Sequence, residues 1–164
     1  MSMIFNGRVH RFGDEVNTDV ILPGRYLALR KPEDLGKHCM EGLDPDFIKR
    51  IRPGDILAVG RNFGCGSSRE HAVVALKAVG VSAIVAVSAA RIFFRNAVNL
   101  GLPVIICPEA AGALREGEEA RIALADVSIT QGAQSWQGMP LGEEVGAILA
   151  AGGLVARVRQ SLAA

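Results

Sequence analysis

The chain has little of what marks most specialised protein classes. Its 18 Lys and Arg residues nearly balance 17 Asp and Glu, for a formal net charge of +1. The basic residues are scattered, which argues against the clustered cationic footprint of a nucleic-acid binder. There are only 3 cysteines in 164 residues. Cys39, Cys65 and Cys107 stand far apart with no Cys-x-x-Cys, and His10, His38 and His71 complete no zinc pattern with them. An odd set of thiols without a signal peptide predicts a cytoplasmic protein. The apolar stretch 78–90 carries no charge but is too short to span a bilayer, and Gly80, Ser82 and Ser88 interrupt it. No internal repeat or low-complexity tract occurs, so neither a solenoid nor a disordered tail is expected.

What remains is an ordinary globular composition, 49% apolar, read as a single domain over 1–164 that can bury a core without disulfides or metal. Residues 4–12 read as an opening strand, or as a hairpin turning at Asn6-Gly7. Residues 14–25 are loop-like. Pro32-Glu33-Asp34 and Asp44-Pro45-Asp46 each open a short helix, and Arg52-Pro53-Gly54-Asp55 turns into a strand at Ile56. From there the chain alternates. Ile56-Leu57-Ala58-Val59, Ala83-Ile84-Val85-Ala86-Val87 and Pro103-Val104-Ile105-Ile106-Cys107 read as buried strands, with helices after Ser67 and over residues 90–99 between them. This βαβαβ order predicts an α/β protein with a mixed, largely parallel sheet. Three short strands follow over residues 121–136, then a last helix over 142–151 ended by Gly152-Gly153.

The chemistry concentrates in Gly60-Arg61-Asn62-Phe63-Gly64-Cys65-Gly66-Ser67-Ser68-Arg69-Glu70-His71-Ala72, between a strand and a helix. Arg69 occupies the place of the third glycine of a dinucleotide fingerprint, and no Gly-Lys-Ser/Thr follows as a P-loop requires. Ser67-Ser68-Arg69-Glu70 fits a capping box, with Ser67 as N-cap and Glu70 reaching back. The same helix start favours a bound anion. N–H groups that bond a neutral Ser67 hydroxyl would also stabilise its alkoxide. Cys65, between two glycines, reads as a small filler rather than a nucleophile.

Gly64-x-Gly66-Ser67-Ser68-Arg69-Glu70-His71-Ala72 resembles the signature of the mobile swivel domain of the aconitase family. The resemblance extends to Asn17-Thr18-Asp19-Val20-Ile21-Leu22-Pro23, Arg25-Tyr26-Leu27, Ala90-Arg91-Ile92-Phe93-Phe94-Arg95-Asn96-Ala97, Asn99-x-Gly101-Leu102-Pro103 and Ala150-x-Gly152-Gly153-Leu154. Over its whole length the chain is similar to the free-standing form of that domain, the small subunits of isopropylmalate dehydratases and homoaconitases. The resemblance implies a three-layer β/β/α swivel fold. It also implies a hydro-lyase that moves a hydroxyl between neighbouring carbons of a hydroxy acid, in leucine biosynthesis for the isopropylmalate branch. The [4Fe–4S] cluster would come from a separate large subunit, since this chain has no set of three cysteine ligands. By resemblance Ser67 is the catalytic base, Ser68 and Arg69 bind a substrate carboxylate, and Arg25 and Asp19 in the first loop are further substrate-binding candidates. Glu70 and His71 support them, and Tyr26, Leu27, Ala28 and Leu29 form the specificity loop. Ala28-Leu29 is apolar, as for a branched alkyl group, although Ala28 is small and leaves methyl- or dimethylmalate hydratases open. A homoaconitase, or a non-catalytic anion-binding module, is the alternative.

Overall fold

The computed structural model of the protein describes residues 3–67 and 69–163. Ser68, one of the expected carboxylate-binding residues, lies outside them. Strand β1 (Ile4–Arg11) pairs in parallel with β2 (Ile56–Val59), which is followed outward by parallel β3 (Ala83–Ala86) and β4 (Val104–Ile106). On its other edge β1 pairs antiparallel with β5 (Glu119–Ala123), which leads to β6 (Ser128–Gln131) and β7 (Gln134–Gln137). The result is one mixed α/β sheet of order β4-β3-β2-β1-β5-β6-β7. Helices α4 (Glu70–Ala78) and α5 (Arg91–Asn99) connect the parallel strands as the alternation predicts.

The unbroken apolar runs of β2 and β3 are explained by burial on both faces. Leu57, Val59, Ile84 and Ala86 face one core with Phe47, Phe63, Ala72 and Leu76. Ile56, Ala58, Ala83 and Val85 face a second core, which holds Leu114, Ile122, Ile129 and Leu149. The antiparallel wing therefore curls over the second face of the parallel wing. The Met139 amide closes this curl by donating to the Ile106 carbonyl at 3.0 Å. Helices, parallel strands and antiparallel strands form the three layers. No helix among the described residues is long and apolar enough to cross a membrane.

The structure corrects the reading of the elements in three places. Asn6-Gly7 is not a turn, because β1 continues straight through it. Gly7 serves close approach instead: a Cβ there would lie 2.1 Å from the Gly54 carbonyl oxygen. Residues 14–25 are not a plain loop, since they hold α1 (Thr18–Ile21) and a 3-10 turn, Gly24–Tyr26. Asn17 caps α1, its side chain accepting from the Val20 amide at 3.0 Å. The helix α7 (Glu143–Ala151) does end at left-handed Gly152. It is not the last helix, because α8 (Leu154–Ala163) follows with no buried residue. The remaining helices are α2 (Pro32–Gly36), α3 (Phe47–Arg50) and α6 (Pro108–Ala113).

Candidate active site

Parallel strands present their ligands at the carboxyl ends, and here the loops leaving β1, β2 and β3 are knitted into one surface. Gly64 donates to the Val16 carbonyl at 2.8 Å, Thr18 to Cys65 at 2.9 Å, and Ala90 to Phe63 at 2.9 Å. The Asn62 amide donates to the Ser88 hydroxyl at 2.8 Å. Gly64 is required by both conformation and space. Its φ is +79°, and a Cβ would fall 2.2 Å from the Phe93 ring. The buried Thr18 hydroxyl donates to the Ser67 carbonyl at 2.9 Å, pinning the backbone that carries the Ser67 side chain.

The capping box does not form. Helix α4 begins at Glu70 with Arg69 as its N-cap, and the Arg69 side chain makes no capping bond. Ser67 lies ahead of the helix in an exposed bend, so its hydroxyl is not engaged as a cap. Arg69 is the nearest strong electrostatic influence in sequence. Its Nη1 donates to Asp19 Oδ1 at 2.9 Å, and that same oxygen accepts from the Gly24 amide at 3.1 Å. A guanidinium has five donors, so this bond leaves others for a ligand.

Ser67 and Arg69 line one cavity of about 240 Å³ together with Thr18, Gly64, Gly66, Ala90, Arg91, Ile92, Phe93 and Asn96. A second, wider cavity of about 700 Å³ opens at the start of α4, lined by Leu27, Ala28, Leu29, Arg30, Pro32, Leu35, Glu70, His71 and Val74. The fold thus brings Ser67 to Arg69 and, through Arg69, to Asp19. It also brings Leu27, Ala28 and Leu29 to Glu70 and His71. Arg30 shares this second cavity, so the wall is not wholly apolar, and Glu70 opposes its charge.

Arg25 and Tyr26 line neither cavity. Arg25 Nη2 donates to Glu41 at 3.1 Å and its guanidinium sits 4.7 Å from the centre of the Tyr26 ring. The Tyr26 hydroxyl donates to the same Glu41 oxygen at 2.8 Å, and the ring stacks on His38 at 3.6 Å. The Tyr26 hydroxyl bond, helped by His38 and Arg25 against the effect of burial, holds the Glu41 carboxyl below its ordinary range.

Cys65 has the environment of a filler. Burial, and then the charge of Glu15 beside it, push its thiol above the ordinary range, with Sγ 3.7 Å from the Glu15 carboxylate. Burial pushes the Cys39 thiol up much further. Among the described residues no three His, Cys, Asp or Glu side chains converge on a metal-sized site. The three cysteines present do not fit a cluster.

Sequence reasoning did not place Arg91, Asn96 and Thr18 at the site. The run 90–97 carried a signal, since its strand ends beside β2 in a parallel sheet. The Phe63–Ala89 bridge and the Ala90–Phe63 bond bring the start of α5 to the Ser67 cavity.

Residues 28–109 match the aconitase C-terminal domain. The chain is 46% identical over 163 residues, 98% of both chains, to the 3-isopropylmalate dehydratase small subunit of Caldicellulosiruptor bescii. It is 48% identical to the 2,3-dimethylmalate dehydratase small subunit of Eubacterium barkeri over 152 residues, 91% of this chain and 93% of that one. Its backbone is similar to the crystal structure of 3-isopropylmalate dehydratase from Methanocaldococcus jannaschii, with a TM-score of 0.93 and 42% identity over 98% of this chain and 96% of that one. By its motifs, its curled mixed sheet and these full-length matches, the chain belongs to the 3-isopropylmalate dehydratase small-subunit family of the aconitase superfamily.

Proposed function

We propose that this chain is the small subunit of a two-subunit hydro-lyase that interconverts 2-isopropylmalate and 3-isopropylmalate by dehydration and rehydration. The observation that carries this reading is the pairing of two cavities. One holds a hydroxyl, Ser67, beside a guanidinium, Arg69. The other, lined from the following residue, Glu70, has Leu27, Ala28 and Leu29 on its wall. A dicarboxylate with a branched alkyl arm has complementary parts.

Arg69 takes the carboxylate next to the reacting carbon, using donors not given to Asp19. Asp19 orients that guanidinium. Ser67 Oγ accepts the proton from the carbon α to this carboxylate and returns it on rehydration, with the Arg69 charge favouring the alkoxide. Arg25, held against Glu41, belongs to the loop wall rather than to the ligand. The alkyl arm lies over Leu27, Ala28 and Leu29.

The [4Fe–4S] cluster of the family supplies the Lewis acid for the leaving hydroxyl, and with no ligand set in this chain it belongs to a large subunit. The free thiols Cys39, Cys65 and Cys107 suit a reducing compartment, in line with a cytoplasmic enzyme. The relative that acts on dimethylmalate, together with the small Ala28, favours a second reading in which the preferred arm is smaller.

The test is reconstitution. The isolated chain is expected to turn over no alkylmalate, and activity is expected when it is mixed with a cluster-bearing large subunit under reducing, oxygen-free conditions. Turnover by the isolated chain would overturn the split site. A complex that prefers 2,3-dimethylmalate would decide for the second reading, and one that turns over neither would remove both.

A further inference from the structure

The segment that walls the second cavity has little to hold it. It contains one 3-10 turn, Gly24–Tyr26, with no buried residue. Its apolar side chains, Tyr26, Leu27 and Leu29, are only partly buried against the core. At one end the Gly24 amide is tied to Asp19. Directly after it, the Arg25 guanidinium at 3.1 Å and the Tyr26 hydroxyl at 2.8 Å both reach the Glu41 carboxylate, which His38 Nδ1 meets from Glu41's own turn at 2.7 Å. The His38 ring also stacks on Tyr26 with its plane within 8° of parallel. His38 and Glu41 lie in the turns after α2, on another part of the chain.

We propose that Glu41 is a positioning residue for substrate choice: it tethers Arg25 and Tyr26 so that Leu27, Ala28 and Leu29 form a fixed wall against the alkyl arm. This inference rests on the alkylmalate reading above. Two bonds from the segment reach this carboxylate, and bonds to an ionised group are about twice as strong as neutral ones, so Glu41 adds an anchor to the partial burial of the segment. Glu41 itself lines neither cavity. Its effect is therefore on where the wall stands and not on the proton transfer at Ser67. A wall in the wrong place costs ground-state and transition-state binding alike, which appears in KM with kcat little changed.

The experiment compares wild type, Glu41→Ala and Glu41→Gln on one large subunit, with 3-isopropylmalate and 2,3-dimethylmalate as substrates. Tryptic cleavage after Arg25 and Arg30 is followed in the isolated subunits. Glu41→Ala is expected to raise KM for 3-isopropylmalate about tenfold, as for the loss of roughly one charge-assisted bond, and to bring the kcat/KM ratio of the two substrates closer to unity. Cleavage should quicken. Glu41→Gln, which can still accept from the Tyr26 hydroxyl, should recover part of both losses. It also keeps the test usable if the alanine variant does not fold. Unchanged KM and ratio would overturn the proposal, as would a fall in kcat that merely follows thermal stability. A fall in KM would overturn it as well, by showing that Glu41 competes with the ligand for Arg25. Should the wild-type complex turn over neither substrate, the functional reading falls and the cleavage arm decides: unchanged cleavage in both variants removes the tether.

Discussion

Ser67 combines an exposed side chain with a backbone held from below by Thr18. A capping serine would cost about 0.5–2 kcal/mol on replacement by alanine. Here α4 starts at Glu70 with Arg69, not Ser67, as its N-cap, and alanine keeps the carbonyl that Thr18 bonds. Ser67→Ala is therefore expected to leave the melting temperature of the isolated subunit almost unchanged. Turnover of the reconstituted enzyme should nevertheless fall by roughly 10²–10⁴-fold, the contribution of a positioned acid–base group. Wild-type turnover in this variant would place the base elsewhere. The residue types of the site were readable from the chain, because serine, arginine and a glycine-rich turn between strand and helix carry their chemistry in their identity. The bond from Arg69 to Asp19 was not, since it joins positions 50 residues apart.

At the scale of elements, the site depends on how closely the loop after β2 lies on α5. Gly64 is the point of contact, with positive φ and the Phe93 ring where a side chain would be. Phe93 in turn meets Phe63 edge to face, centroids 5.2 Å apart. Gly64→Ala must accept a left-handed alanine, about 1–2 kcal/mol, and displace Phe93, about 1–3 kcal/mol for overpacking. A loss of roughly 2–5 kcal/mol by urea unfolding is expected, with reconstituted activity falling as the Ser67 cavity distorts. A loss below about 0.5 kcal/mol, the range of a neutral surface change, would show that the loop does not need this approach. Strands β2 and β3 were legible because burial on both faces writes a continuous apolar run. Helix α8 was not, because the Gly152-Gly153 signal that ends α7 says nothing about whether a new helix begins at Leu154.

For the molecule as a whole, acid stability is expected to depend on the buried carboxylate of Asp55, where β1 meets the turn into β2. Asp55 accepts from the Arg8 and Arg52 amides at 3.1 and 3.0 Å and meets His10 Nε2 at 2.7 Å. Burial pushes the Asp55 carboxyl up, but the His10 bond and the two amides outweigh it and hold it below the ordinary range. A carboxyl depressed in the folded state stabilises fully above its unfolded value, about 3.9. That stability is lost as pH falls through the folded value, because the unfolded chain binds the proton first. Asp55→Asn is expected to cost about 1–3 kcal/mol at neutral pH, as for buried donors left with a poorer acceptor. Its stability should also fall less steeply than wild type as pH drops below about 4. Denaturant unfolding at neutral and acid pH measures both. Equal steepness in the two proteins would mean that Asp55 does not govern the acid limb.

From its sequence alone this protein was determined as an α/β protein with a run of parallel strands and one turn, Gly64 to Ala72, where its candidate chemistry concentrates. Period, apolar runs and residue chemistry are local properties, so they survive being read along a line. Which carboxylate Arg69 meets, where α4 truly starts, and that Glu41 gathers Arg25, Tyr26 and His38 were decided only by the tertiary structure. So was the passage of β1 through Asn6-Gly7, where the glycine answers to Gly54 across the fold rather than to its neighbours. Each depends on atoms brought together by the curl of the sheet and the meeting of its carboxyl-end loops, and no local pattern encodes the distance between residues that the fold makes adjacent.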